Sequence, residues 1–197
     1  MKDLYLDIET TSLVAKGLRY ETDYLLFPRI VSIAWDFDGQ EHHYLIKQTA
    51  PIPKEATEIH GITDKMCEEK GQDIGVILVL LLTYAMASAR IIGFNIYFDT
   101  SMIKSEFLRL VADGVLTEAQ RIAFWEAIDA SKRIDVCRSC MKYAKGMKSM
   151  EALYLAEFRE RYPGAHSALG DVRALKRLFK ALVIKGAIVR KGEVLNA

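Results

Sequence analysis

The chain opens on a strict alternation: Leu4, Leu6 and Ile8 fall on one side of Lys2 to Ile8, and Asp3, Tyr5 and Asp7 on the other. That period of two predicts a strand. Arg29 to Phe37 and Glu41 to Lys47 are rich in β-branched and aromatic residues and flank Asp38-Gly39-Gln40, which predicts a hairpin. The first three strands are therefore expected to lie side by side and antiparallel. The rhythm then changes. Ile74 to Ala89 reads as a helix, Arg90 to Asn95 as a short strand, and Thr100 to Ala112 as a helix through Met102, Ile103, Phe107, Leu108 and Val111. Thr117 to Asp129 is read as a helix, Arg133 to Val136 as a strand, and Ser149 to Phe158 as a helix. Ala168 to Ile184, with Leu169, Val172, Leu175, Leu178, Phe179 and Leu182 on one stripe after the Pro163-Gly164 break, predicts a strongly amphipathic helix. Strands interleaved with helices imply parallel pairing. The expected fold is α/β, a mixed five-stranded sheet with the antiparallel hairpin first and parallel strands after it, flanked by helices. The tail, Ala187 to Leu195 around Arg190-Lys191-Gly192, reads as a small hairpin.

Composition narrows the class. The 197 residues are 51% hydrophobic and 27% charged, with 12 glycines, 4 prolines and a net charge of +1. This suits one domain over 1–197 and excludes disordered, fibrous and polybasic classes. A partner that is a polyanion must then be held by a local site. The uncharged run Gly75 to Ala87 is shorter than the roughly 20 residues of a membrane span, and is expected to be a buried helix. Acids within Met1 to Asp7 stand where a signal peptide needs apolar residues, so the expected location is cytoplasmic, with no membrane partner. Cys67, Cys137 and Cys140 are expected as reduced thiols. Cys137 and Cys140 spell C-x-x-C, but no second pair or nearby histidine completes a zinc set.

The candidate chemistry lies in acids at strand and helix ends. Asp7 and Glu9, two apart in one strand, project to one side. Asp99 follows the short central strand, and Asp171 sits in the first turn of the amphipathic helix. If these ends meet, the carboxylates crowd one cleft and need protons or cations to neutralise them. Mg2+ and Mn2+ take such oxygen ligands, and two ions about 3.5 to 4 Å apart assist in-line phosphoryl displacement. His166, five residues before Asp171, could overhang that cleft and take a proton from an attacking water. Taken singly, Asp7 and Glu9 also read as a solvated strand end, Asp99 and Asp171 as helix-capping acids, and His166 as a surface residue.

In order, Asp7-Ile8-Glu9-Thr10-Thr11, Ile59-His60-Gly61-Ile62-Thr63, Phe94-Asn95-Ile96-Tyr97-Phe98-Asp99 and His166 with Asp171 resemble the successive motifs of the DEDDh, or DnaQ-like, 3′-to-5′ exonucleases. That group includes the epsilon subunit of bacterial DNA polymerase III, ribonuclease T and oligoribonuclease, and the resemblance runs from about Leu4 to about Leu182. It implies a ribonuclease-H-like fold. It implies two divalent cations, Mg2+ or Mn2+, on Asp7, Glu9, Asp99 and Asp171, with His166 as general base. The implied reaction releases nucleoside 5′-monophosphates from a free 3′ end, with single-stranded DNA favoured and RNA trimming or an oligoribonuclease-type activity as the alternative. By the same resemblance Thr10, Thr11, His60 and Asn95 bind the terminal nucleotide, and a polymerase is a candidate partner. A catalytically silent polymerase-associated module is the competing reading from another class, and whether the protein is a monomer or a homodimer is left open. Ser12 to Pro28 is longer than the connection usual in that group. It is expected either to pack on the sheet through Leu25, Leu26 and Phe27, or to offer Lys16, Arg19, Tyr20 and Tyr24 to a single strand.

Overall fold

The alternation at the N-terminus becomes strand β1, Asp3–Thr10, the middle strand of the sheet. The structure, a computed structural model, describes residues 2–147, 149–190 and 193–195. Strands β2, Ile30–Phe37, and β3, Gln40–Leu45, form the expected hairpin. Its turn is Asp38-Gly39, both with positive φ (55° and 88°), the backbone that a two-residue hairpin needs and that Asp and Gly tolerate. β1 pairs antiparallel with β2 from Leu4 to Thr10, with a bulge between Glu9 and Thr10. On its other side β1 pairs in parallel with β4, Arg90–Gly93, only from Asp3 to Tyr5. β5, Arg133–Asp135, completes the order β3-β2-β1-β4-β5. Beyond Tyr5 the far half of β1, with Asp7 and Glu9, has no strand partner on that side among the described residues.

Helices cover both faces. Between β3 and β4 run α2, Lys54–His60, α3, Asp64–Lys70, and α4, Ile74–Ala87; between β4 and β5 run α5, Ile96–Ala112, and α6, Glu118–Ala127. Leu4, Leu6 and Ile8 pack with Ile77, Leu78, Leu81, Met102, Ile103 and Phe107 in one apolar cluster. The opposite face, with Tyr5, Ala34 and Ile92, packs against α9, Ala168–Ile184, and α8, Met150–Phe158. A one-turn helix, α7, Val136–Ser139, links β5 to α8 and carries Cys137; Cys67, Cys137 and Cys140 form no disulfide among the described residues. The tail forms β6, Val189–Arg190, paired with β7, Glu193–Val194, while Lys191 and Gly192 of the expected turn lie outside the described residues.

Several expectations need correction. The apolar run is buried on one side only: Val76 and Met86 of α4 are exposed. None of the described helices is long and apolar enough to cross a membrane. α5 begins at Ile96 rather than Thr100, because Asn95 adopts a left-handed backbone (φ 64°) that starts the helix directly after the strand. Helices α2 and α3, of seven residues each, add to the expected elements; two turns are too short to display a periodic stripe. The Ser12–Pro28 connection holds a one-turn helix α1, Tyr20–Asp23, and a 3-10 turn, Tyr24–Leu26. Phe27 is buried, with Val14, Leu18 and Tyr20 packed on the same cluster, but Leu25 and Leu26 stand 70% and 68% exposed. Tyr20 is also committed: its ring meets Trp125 edge-on and its hydroxyl accepts from Lys104 Nζ at 3.2 Å.

The end of that connection is fixed by buried charge. Glu106, on α5 and 1% exposed, accepts from Arg29 Nε at 2.9 Å and pairs with Arg109 Nη1 at 3.2 Å, and Arg109 donates to the Phe27 carbonyl. Arg29 in turn faces Thr11 across the start of β2. Removing one member of a buried charged cluster strands the others, so Glu106→Ala is expected to cost about 3 kcal/mol in denaturant unfolding. A loss below about 1 kcal/mol would mean that the cluster behaves like surface ion pairs.

Candidate active site

Asp7 and Glu9 follow Tyr5 on the α9 side of β1, and geometry supplies their partner. Tyr5 meets Phe179 of α9 edge-on at 6.0 Å. From Tyr5 to Glu9 the strand advances about 13 Å, and from Phe179 back to Asp171 the helix covers about 12 Å. Two elements in contact at one point and running oppositely therefore bring Asp171 to the pair. Oxygens of Asp7, Glu9 and Asp171 all lie within 4.8 Å of one another, the one such group of three or more acids, histidines or cysteines among the described residues.

Asp99 lies outside that trio but acts on it. It occupies the first turn of α5, is 4% exposed, and its carboxylate stands close to the Ile8 backbone N–H, which partly offsets the effect of burial, where β4 has already left the edge of β1. Burial holds Asp99 well above the usual carboxylate range, with Asp135 and Glu9 adding to the shift. Asp7 is raised likewise, first by burial and then by Asp99, Asp171 and Glu9. Burial, with Asp171 beside it, pushes Glu9 up to about 7. Asp171 is raised by burial against the pull of the Tyr162 hydroxyl and of His166. Hard oxygen donors this close, each short of compensating charge, form the ligand set that Mg2+ or Mn2+ takes. Asp7, Glu9 and Asp171 could hold such an ion directly.

His166 has a left-handed backbone (φ 62°) immediately before Ser167, whose Oγ caps α9 by accepting from the Gly170 N–H at 3.2 Å. Non-glycine residues seldom sit there, and strain of this kind gathers at functional sites. Its imidazole is half exposed, stands in the field of Asp171, and has Nε2 3.7 Å from Glu151 Oε1. The loop carrying it lies against α9 at Gly170, where a Cβ would come 2.0 Å from the Gly164 carbonyl oxygen.

Beside Glu9 opens a cleft of about 450 Å3, walled by Ile8, Thr10, Thr11, Ala56, His60 and Phe98, with exposed Leu13 and Ile59 at its rim. Thr10, Thr11 and His60 thus line one space, but their polar atoms are largely engaged. Thr10 Oγ1 donates to the Ser12 carbonyl at 2.8 Å, and Thr11 Oγ1 accepts the Arg29 N–H at 3.0 Å. His60 Nδ1 accepts the Ile62 N–H at 3.0 Å, while its buried Nε2 has no partner in hydrogen-bonding geometry among the described residues. Burial lowers the His60 pKa, opposed by the Thr10 carbonyl. Asn95 does not join the cleft wall; its side chain is exposed, and its N–H donates to Asp135 Oδ1 at 3.0 Å. Asp135, Glu151 and Tyr162 are the residues here that pattern reading missed. Asp135 showed only as another acid at a strand end, Glu151 as a first-turn acid, and Tyr162 as the neighbour of a Pro-Gly break.

The raised acids make folding depend on pH. Below about 4.5, the ordinary value for glutamate, Glu9 is protonated in both states; between there and about 7 the unfolded chain sheds a proton that the folded one keeps. Stability of the cation-free protein therefore falls as pH rises through that window. Glu9→Gln is expected to raise the thermal midpoint in chelator near pH 8 and to leave it close to unchanged near pH 4. An equal or lower midpoint near pH 8 would show that Glu9 is not strained by its neighbours.

Comparison with known proteins agrees with this fold. The RNase T exonuclease family model matches residues 4–179. Subunit epsilon of DNA polymerase III from Pasteurella multocida (strain Pm70) is 27% identical over 110 residues, covering 55% of this chain and 43% of that protein. E. coli exonuclease I in complex with a dT13 oligonucleotide superposes with a TM-score of 0.70 at 18% identity, over 94% of this chain and 41% of that one. An exonuclease I from Methylocaldum szegediense gives 0.67 at 19%, over 92% and 40%. The chain spans about two fifths of the length of these relatives. The solved structures share its ribonuclease-H-like fold, and with the family model covering nearly the whole chain, this protein belongs to the exonuclease family.

Proposed function

We propose that the protein is a metal-dependent 3′-to-5′ exonuclease that releases nucleoside 5′-monophosphates, with single-stranded DNA as substrate. The observation that carries this reading is the trio Asp7, Glu9 and Asp171, with Asp99 behind it, opening onto the apolar cleft at Glu9. Asp7, Glu9, Asp99 and Asp171 are the residues to hold two cations, Mg2+ or Mn2+. Bound there, the ions supply Lewis-acid polarisation of the scissile phosphate and counter-charge for its transition state. Ile8, Ala56 and Phe98 receive the terminal base by apolar contact, with His60 Nε2 as the free donor or acceptor beside it. Thr10 and Thr11 shape that wall, since their hydroxyls are already engaged.

The imidazole of His166 takes the proton of the attacking water as the new P–O bond forms and the P–O3′ bond breaks. The leaving 3′ oxygen is protonated from solvent. The imidazolium so formed faces Glu151, which stabilises it. DNA is favoured because the relatives include a DNA polymerase subunit and an exonuclease bound to a deoxyoligonucleotide, and the first of these also supports a polymerase partner.

The test incubates the protein with 3′-labelled and 3′-blocked single-stranded DNA, duplex DNA and RNA, with Mg2+ or chelator. Mononucleotide release from the unblocked single strand, lost in chelator, is expected. Faster release from RNA would transfer the reading to RNA 3′-end trimming. Asp7→Ala and Asp171→Ala should abolish release with the fold retained, and activity in both would overturn the proposal. His166→Ala should slow turnover by about 10² to 10⁴ while sparing cation binding, the range for loss of a general base; an unchanged rate would remove His166 from the chemistry.

A further inference from the structure

Tyr162 lies at the heart of the site, yet the proposed chemistry gives it no part. It is buried, and its hydroxyl donates to Asp171 Oδ1 at 2.6 Å. Burial, that hydrogen bond and the charges of Asp171, Glu151 and Asp7 push its phenol far up, so it remains a donor and is never a base. The ring is gripped from outside the site. Tyr154 of α8 meets it edge-on at 5.0 Å, and the Tyr154 hydroxyl is itself fixed by Arg177 Nη1 of α9 at 2.5 Å. Two residues further on, the Gly164 carbonyl rests against Gly170, so the backbone behind Tyr162 has little room to move relative to Asp171.

A short bond from an immobile donor fixes the carboxylate that accepts it. Turning Asp171 about its terminal torsion would break that bond and leave a buried phenol hydroxyl unsatisfied, a state native interiors avoid. Asp7 and Glu9 stand two apart on one strand, which fixes where their Cβ atoms lie relative to each other. Asp171 comes from a separate element, α9, and among the described residues its carboxylate is the one of the three held by a short hydrogen bond, from the Tyr162 hydroxyl.

We infer that Tyr162 is a positioning residue, holding the Asp171 carboxylate in the orientation that joins Asp7 and Glu9 in one cation site. This rests on the cation site proposed above; Tyr162 itself touches neither substrate nor ion.

The test is Mn2+ titration of the full chain, read as free Mn2+ by electron paramagnetic resonance, for wild type, Tyr162→Phe, Tyr154→Phe and Asp7→Asn. Tyr162→Phe keeps the ring and its packing and removes only the hydroxyl. It is expected to weaken Mn2+ binding about 10- to 100-fold, the range for losing a partner of a metal ligand. kcat should fall with KM for a deoxyoligonucleotide unchanged. Tyr154→Phe, which keeps the ring that packs on Tyr162 and removes only the hydroxyl on Arg177, should bind Mn2+ as wild type does. Unchanged Mn2+ affinity in Tyr162→Phe, with Asp7→Asn impaired, overturns the inference and leaves the cation site standing. Equal weakening by Tyr154→Phe also overturns it, since loop packing rather than the hydroxyl would be responsible. Wild type that binds no Mn2+, or Asp7→Asn that binds it fully, brings down the cation site itself.

Discussion

The burial of several carboxylates side by side is the constraint around which this molecule is arranged. Asp7, Glu9 and Asp171 share a space less than 5 Å across, with Asp99 pressing on them from the first turn of α5. Left to themselves, such groups would spread into water. They are kept together because each stands on an element packed into the apolar core: Asp7 and Glu9 on a strand covered on both faces, Asp171 on α9, and Asp99 on α5. Two apolar clusters, one on each side of the sheet, carry the unfavourable charge at its rim. A fold that holds such a site without its counter-ions sacrifices stability for preorganisation, which is the usual relation between a binding centre and its scaffold.

Topology explains why the site lies where it does. The sheet order reverses at β1: β2 and β3 lie to one side, β4 and β5 to the other. β4 pairs with β1 only as far as Tyr5 and then turns into α5, leaving a crevice at the end of the middle strand. Open α/β sheets place ligands at such a switch point. Here the crevice receives the N-terminal turns of two helices from opposite faces, α5 with Asp99 and α9 with Asp171. Helix α2 adds the apolar wall of the adjoining cleft, so charged and apolar surfaces meet at Glu9, as a nucleotide with its phosphate and base would require.

Much of this was legible along the chain. The period of two in β1 placed Asp7 and Glu9 on a common side, and the 3.6-residue stripe of α9 located Asp171 in its first turn. The Asp38-Gly39 turn identified the hairpin. What escaped was whatever depends on distance rather than spacing. Nothing local marks Tyr162 as the partner of Asp171, or Asp135 as the acceptor that seats Asn95 in its left-handed conformation and so starts α5 early enough to bring Asp99 to the edge of β1. Leu25 and Leu26 misled because apolar character suggests burial, whereas the buried Arg109–Glu106 pair fixes the backbone at Phe27 and leaves these two outside. The hydroxyls of Thr10 and Thr11 looked free in sequence and are engaged by the bulged end of β1 and by the start of β2. Family likeness reaches the fold, and sites rather than folds carry specificity.

Whether these acids seat divalent cations is decided by anomalous diffraction from crystals of the protein soaked in Mn2+. Anomalous density is expected between the carboxylates of Asp7, Glu9 and Asp171, with Asp99 at its margin and the Tyr162 hydroxyl still on Asp171. A map without density there at saturating Mn2+, or with the Asp7 and Glu9 carboxylates turned away from Asp171, would contradict it.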